Sequence, residues 1–176
     1  FVGSCFADNI GKRFVDDKFR AVVNPYGVMY NPASIMHTVR RYIADVAHSG
    51  AVACARTAVF TLGTNHVYVL NETGEIVDNC RKRPQRLFTE RELSIEECEE
   101  YLAEAVEQLR QVNPSIRVVV TVSPIRYAKY GFHGSQLSKA TLLIAADRLV
   151  KRYAAEDAAD ANRHPSVVYF PAYEIV

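Results

Sequence analysis

Phe1-Val2-Gly3-Ser4-Cys5-Phe6-Ala7-Asp8 reads as a strand that turns sharply into a helix. Val2 ends a short apolar run, and Gly3 permits the change of direction. The helix starts near Cys5 and carries Phe6, Ile10 and Phe14 on one face, at i, i+4 and i+8. Outward from this turn the pattern repeats. Residues 20–23 read as a second strand running into the turn-rich Asn24-Pro25-Tyr26-Gly27. Asn31 then caps, and Pro32 opens, a helix with Ile35, Val39, Ile43 and Val46 on its core face. Residues 57–62 read as a buried strand that stops at Gly63-Thr64-Asn65-His66, and a β-hairpin inserted around residues 66–79 turns at Glu72-Thr73-Gly74. Residues 80–92 are polar and irregular. Ser94 and Glu97 form a capping box ahead of a stripe of Ile95, Cys98, Leu102, Val106 and Leu109. The β-branched run at 116–122 suits a central strand buried on both faces, Ser138 caps a last long helix through about Ala155, and 166–170 forms a final short strand. Alternating strands and helices predict an α/β domain with a mainly parallel sheet, one unit over 1–176.

The bulk numbers agree with one ordinary globular domain: 176 residues, 49% hydrophobic and 23% charged. With 21 basic and 20 acidic residues the net charge is +1, so no overall field draws nucleic acid or an anionic membrane. No stretch reaches the roughly 18 apolar residues of a membrane span. Cys5, Cys54, Cys80 and Cys98 have neither metal-ligand spacing nor the density of a disulfide framework. They read as reduced thiols, which suits a reducing compartment such as the cytoplasm. Neither a metal nor a cofactor is expected, and oligomeric state is left open.

In an open parallel sheet, ligands bind beyond the carboxyl ends of the strands. Three such ends carry chemistry. Gly3-Ser4-Cys5 has the form of a nucleophile turn: Cys5 or Ser4 stands where a helix N-terminus favours an anion and leaves backbone N–H groups free. Gly27 offers an N–H, and Asn65 offers a side-chain amide; together these are the donors of an oxyanion hole. Ser4 equally well caps the helix, Cys5 packs beneath it, and Gly27 and Asn65 shape turns.

The string GSCFA at 3–7 identifies the chain as a member of the GSCFA family, which resembles the SGNH, or GDSL-like, hydrolases. The likeness runs through NPYGVMYNPASI (24–35), LGTNHVY (62–68), VSP (122–124), QLSKATLL (136–143) and YFPAYEIV (169–176). It implies a flavodoxin-like three-layer α/β/α sandwich. It also implies Cys5 at the nucleophile position, with the Cys5 N–H, the Gly27 N–H and Asn65 around the oxyanion and Gly63 beside Asn65. A cysteine replaces the serine of SGNH esterases. The resemblance further implies a catalytic Asp-x-x-His block beyond YFPAYEIV. The chain is therefore expected to be truncated after Val176 and, lacking an initial methionine, slightly at its start. Asp160 and His164 have the wrong spacing and precede the last strand.

Other candidates are His66 beside the proposed hole, His133 in the loop Tyr130-Gly131-Phe132-His133-Gly134, and Cys80, should the insertion fold over the site. Each has a plain alternative: a solvent-facing hairpin histidine, a loop histidine, a structural thiol. Arg81, Lys82, Arg83 and Arg86 form a solvated loop or a clamp for an anionic substrate. The resulting expectation is a hydrolase or acyltransferase acting on a small-molecule or carbohydrate acyl ester. The alternative is a non-catalytic ligand-binding module on the same fold.

Overall fold

Valine-rich Arg117–Val122 forms a strand between two parallel neighbours, as its continuous β-branched character requires. The computed structural model describes residues 1–47, 50–158 and 165–176. In chain order its elements are β1 (Val2–Gly3), α1 (Cys5–Asp16), α2 (Pro32–Asp45), β2 (Thr57–Leu62), β3 (His66–Leu70), β4 (Ile76–Val77), β5 (Phe88–Glu92), α3 (Ile95–Val112), β6 (Arg117–Val122), α4 (Gly131–Asp157), β7 (Val167–Tyr169) and α5 (Ala172–Ile175). The main sheet is four-stranded and wholly parallel, in the order β1-β2-β6-β7.

Side-chain parity in the ladder separates two faces. Phe60, Leu62, Val118, Val120 and Val122 join one core with Ile35 and Val39 of α2, Leu102 and Val106 of α3, and Leu142 and Leu149 of α4. Thr61 faces the other way, where Ser4 and α1 lie. The sheet thus has helices on both sides, in the three-layer arrangement, with half-buried Val59 and Val119 on the thinner side.

Asn31 caps α2 through the Ser34 N–H at 2.9 Å, and the capping box of α3 is complete. Ser94 Oγ accepts from the Glu97 N–H at 3.1 Å while Glu97 Oε2 accepts from the Ser94 N–H at 2.8 Å. Ser94→Ala removes one half of this exchange. It is expected to lower stability by about 1 kcal/mol in urea unfolding, and an unchanged midpoint would refute the cap's contribution.

Several expectations are corrected. Residues 20–23 form no strand of the sheet, although the Phe1 ammonium donates to Val22 O at 2.8 Å and Asn24 N to Phe1 O at 2.9 Å, so the segment lies beside β1 in extended form. The core face of α1 is Ala7 and Gly11; Phe14 is exposed and stacks obliquely with Phe1 and Phe19. Close approach decides this, because a Cβ on Gly11 would lie 2.6 Å from Val23. The hairpin expected around 66–79 is present as β3 and β4, but the stretch 80–92 is not irregular throughout: it contains β5, which pairs antiparallel with β3 and extends the hairpin to a three-stranded sheet ordered β4-β3-β5. Ser138 does not cap α4; that helix begins at Gly131, and Ser138 is buried within it. His48, Asp160 and His164 lie outside the described residues. No helix among the described residues is long and apolar enough to cross a membrane.

Candidate active site

Gly3 holds the β1–α1 turn against β2 so closely that only a hydrogen fits on its α-carbon. Its φ is +144°, and a Cβ there would meet Thr61 O at 2.2 Å. The next residue is tied down completely. Ser4 N donates to Thr61 O at 3.0 Å and Thr61 Oγ1 at 2.9 Å, and Ser4 Oγ shares a proton with Thr61 Oγ1 at 3.0 Å while accepting from Phe6 N at 3.2 Å. Ser4 is fully buried. It caps α1 and fastens it to β2.

Cys5 is half-buried, at the first position of α1. Its Sγ lies 3.5 Å from Tyr30 Oη, and this contact raises the Tyr30 phenol to about 12. No partner for the Cys5 N–H is found among the described residues, as befits a helix N-terminus. The loop after β1 is braced by Asn24, whose Oδ1 accepts from Gly3 N at 2.9 Å and whose Nδ2 donates to Asp8 Oδ1 at 2.8 Å. That bond is the main cause holding the Asp8 carboxyl below its ordinary range.

Tyr30 also connects the ends of β1 and β2. Its carbonyl accepts from Gly63 N at 2.8 Å and Thr64 N at 2.9 Å. Gly63 O in turn accepts from Lys139 Nζ at 2.6 Å. Lys139 is 1% exposed, and burial pulls its ammonium down to about 8. Tyr127 covers Gly63, since a Cβ on the glycine would meet its Oη at 2.4 Å. That Oη is buried without a hydrogen-bond partner.

The remaining expected donors are partly engaged. Gly27, at φ +96°, donates its N–H to Asn24 O at 2.9 Å, closing its own turn. Asn65 is 2% exposed; its N–H donates to Ser138 Oγ at 3.0 Å and Nδ2 to Leu93 O at 2.9 Å, while Oδ1 is buried and unpartnered.

His66 has no contact with Cys5 among the described residues. It stacks on Tyr130 with centroids 3.7 Å apart, Tyr130 meets Tyr127 at 6.3 Å, and Tyr127 meets Tyr30 at 5.8 Å. A run of three tyrosine rings thus connects the imidazole to Tyr30, whose hydroxyl meets the thiol. Burial lowers the His66 pKa despite Glu90 and Glu92, each at 3.7 Å. Cys80 is half-buried; burial and the nearby Glu90 raise its thiol. His133 is exposed on the first turn of α4. Neither it nor Cys80 has a contact with Cys5 among the described residues. No group of three metal-ligating side chains is found among those residues.

Sequence reasoning passed over Tyr30, Tyr127 and Lys139. Tyr30 and Lys139 stand inside quoted motifs. Lys139 had one legible signal: it occupies the apolar face of α4 with Ser135, Leu142, Ala146 and Leu149.

These features define an α/β domain whose site gathers a helix-initiating cysteine, a tyrosine and a strand-end glycine at the carboxyl edge of a parallel sheet. The GSCFA family model matches residues 1–54 and 45–176, and the chain belongs to that family. An acetyl xylan esterase (Est2A) from the rumen bacterium Butyrivibrio proteoclasticus is a similar solved structure, at 17% identity and a TM-score of 0.31. The match covers 69% of this chain and 29% of the esterase chain, so it spans less than a third of that protein. No curated protein matches the chain.

Proposed function

We propose that the domain is an SGNH-like hydrolase or acyltransferase in which Cys5 forms a covalent acyl-thioester. The observation that carries this reading is the division of labour at the turn. Ser4 is buried with its hydroxyl committed to Thr61 and Phe6, whereas the neighbouring Cys5 thiol is half-buried at a helix N-terminus with the Tyr30 hydroxyl beside it.

In the step proposed, the Cys5 thiolate attacks the acyl carbonyl carbon. The carbonyl π electrons move onto oxygen, and the oxyanion accepts from the Cys5 N–H and from the second Nδ2 proton of Asn65. Collapse expels the alkoxide, which takes a proton from a general acid. Water or another alcohol then releases the acyl group by the reverse sequence. Gly27 joins the oxyanion hole only if its N–H leaves Asn24 O. Neither His66, stacked on Tyr130, nor the exposed His133 has a contact with Cys5 among the described residues, and we assign the acid–base role to a histidine of the Asp-x-x-His kind, as the SGNH resemblance implies.

Intact-mass analysis after exposing the full-length protein to 4-nitrophenyl acetate is expected to find one acetyl group on the peptide bearing Cys5. Cys5→Ala should abolish it. An adduct that survives Cys5→Ala, or no adduct, would leave the binding-module reading in its place.

A further inference from the structure

Between α2 and the end of the inserted sheet lies a cavity of about 460 Å³. Its apolar wall includes Met29 and Phe88, and three arginines from separate places in the sequence border it: Arg41, Arg81 and Arg83. Arg41 lies over the Tyr26 ring at 4.0 Å with Asp45 at 3.7 Å, and Arg83 lies over Phe88 at 5.6 Å. Stacked guanidiniums keep their N–H edges for a ligand. Arg81 and Arg83 have no carboxylate partner among the described residues. Asp78, the carboxylate of the cavity wall, is bound by His37 Nδ1 at 2.8 Å. Cationic charge therefore prevails.

An independent observation points to a ligand. Thr38 lines the cavity, is 2% exposed, and its hydroxyl has no hydrogen-bond partner. A buried hydroxyl left unpaired is unfavourable unless something supplies the acceptor. The backbone also departs from its easy conformations here, with Arg81 and Lys82 in succession at φ +50° and +58°.

We propose that this cavity seats the phosphate of an organic phosphate whose acyl group reaches Cys5. Several guanidiniums suit the multiple oxygens of a phosphate, the Thr38 hydroxyl adds a buried donor, and Met29 and Phe88 receive the apolar part. Its position favours such a substrate. Met29 donates its N–H to Gly3 O at 2.8 Å, and the next residue, Tyr30, touches the Cys5 sulfur. The substrate role rests on Cys5 as nucleophile; the binding site does not.

Isothermal titration of the full-length protein with phenyl phosphate is expected to give saturable binding, with none for benzyl alcohol. The Arg81→Gln/Arg83→Gln double variant should weaken it by at least about tenfold. Thr38→Val should weaken binding without lowering the melting temperature, and Thr38→Ser should restore it. Cys5→Ala should bind as the parent does, and a parent protein that binds phenyl phosphate yet gains no acetyl group at Cys5 would fell the catalytic reading alone. Absent binding, equal affinity in the arginine variant, or benzoate binding as tightly as phenyl phosphate would overturn the inference.

Discussion

Gly3→Ala is expected to cost at least about 3 kcal/mol and to leave little folded protein, because its methyl has no place to go. The new Cβ would lie 2.2 Å from Thr61 O, 2.5 Å from Thr61 Oγ1 and 2.8 Å from Thr61 N. Two of these atoms are backbone of a strand paired on both sides, so they cannot step aside without breaking the β1–β2 or β2–β6 ladder. The φ of +144° adds strain for any side chain. Gly27→Ala isolates the second effect. Gly27 also has a positive φ, +96°, but no atom lies within 4 Å of the place its methyl would take. It should lose only about 1 to 2 kcal/mol. Urea unfolding of both variants checks the contrast, and equal midpoints would show that Thr61 yields more readily than a paired strand should.

Lys139 governs the second large effect. In the unfolded chain its ammonium has the ordinary value of 10.5, and in the fold burial brings it to about 8. The cost of holding the charged form in the interior is therefore fully present below pH 8. It is relieved as pH rises from about 8 to 10.5, because there the unfolded chain binds more protons than the folded one. Stability contributed through this group should rise by about 2 to 3 kcal/mol between pH 7 and pH 10. Lys139→Met titrates nothing at this position, so its pH profile should lack that rise, while both proteins share whatever the tyrosines contribute. Unfolding free energies of the pair at the two pH values decide the matter. Parallel profiles would mean that water reaches Nζ and the ammonium is not desolvated.

The same lysine marks where sequence reading stopped. A lysine on the apolar stripe of α4 is visible as an anomaly, but its acceptor is Gly63 O, in a loop far away in sequence. The environments of Gly27 and Asn65, the donors expected of an oxyanion hole, differ in this respect. Asn24 O engages Gly27 within the turn that the sequence marks, but Leu93 O, which engages Asn65, is announced by nothing in the neighbouring sequence. His66 follows Asn65 directly, yet its ring stacks on Tyr130 and makes no contact with Cys5 among the described residues. Proximity along the chain is a poor guide where a strand begins.

Local rules succeeded where one segment settles its own structure. Asn31-Pro32 and the Ser94/Glu97 box each satisfy N–H groups within three residues, and the β-branched 117–122 run has the period and bulk of a doubly covered strand. These determined the α/β class, the starts of α2 and α3, and the strand-to-helix turn at Gly3-Ser4-Cys5. The tertiary structure alone decided the rest. Close backbone approach made Ala7 and Gly11 the inner face of α1, and the antiparallel partner supplied by β3 turned a polar, irregular-looking segment into β5. It also decided how two adjacent side chains are used: the Ser4 hydroxyl is consumed by Thr61 across the ladder, and the Cys5 thiol is left facing Tyr30. Hydrogen bonds and packing between residues distant in sequence carry that information, and no local window contains both partners.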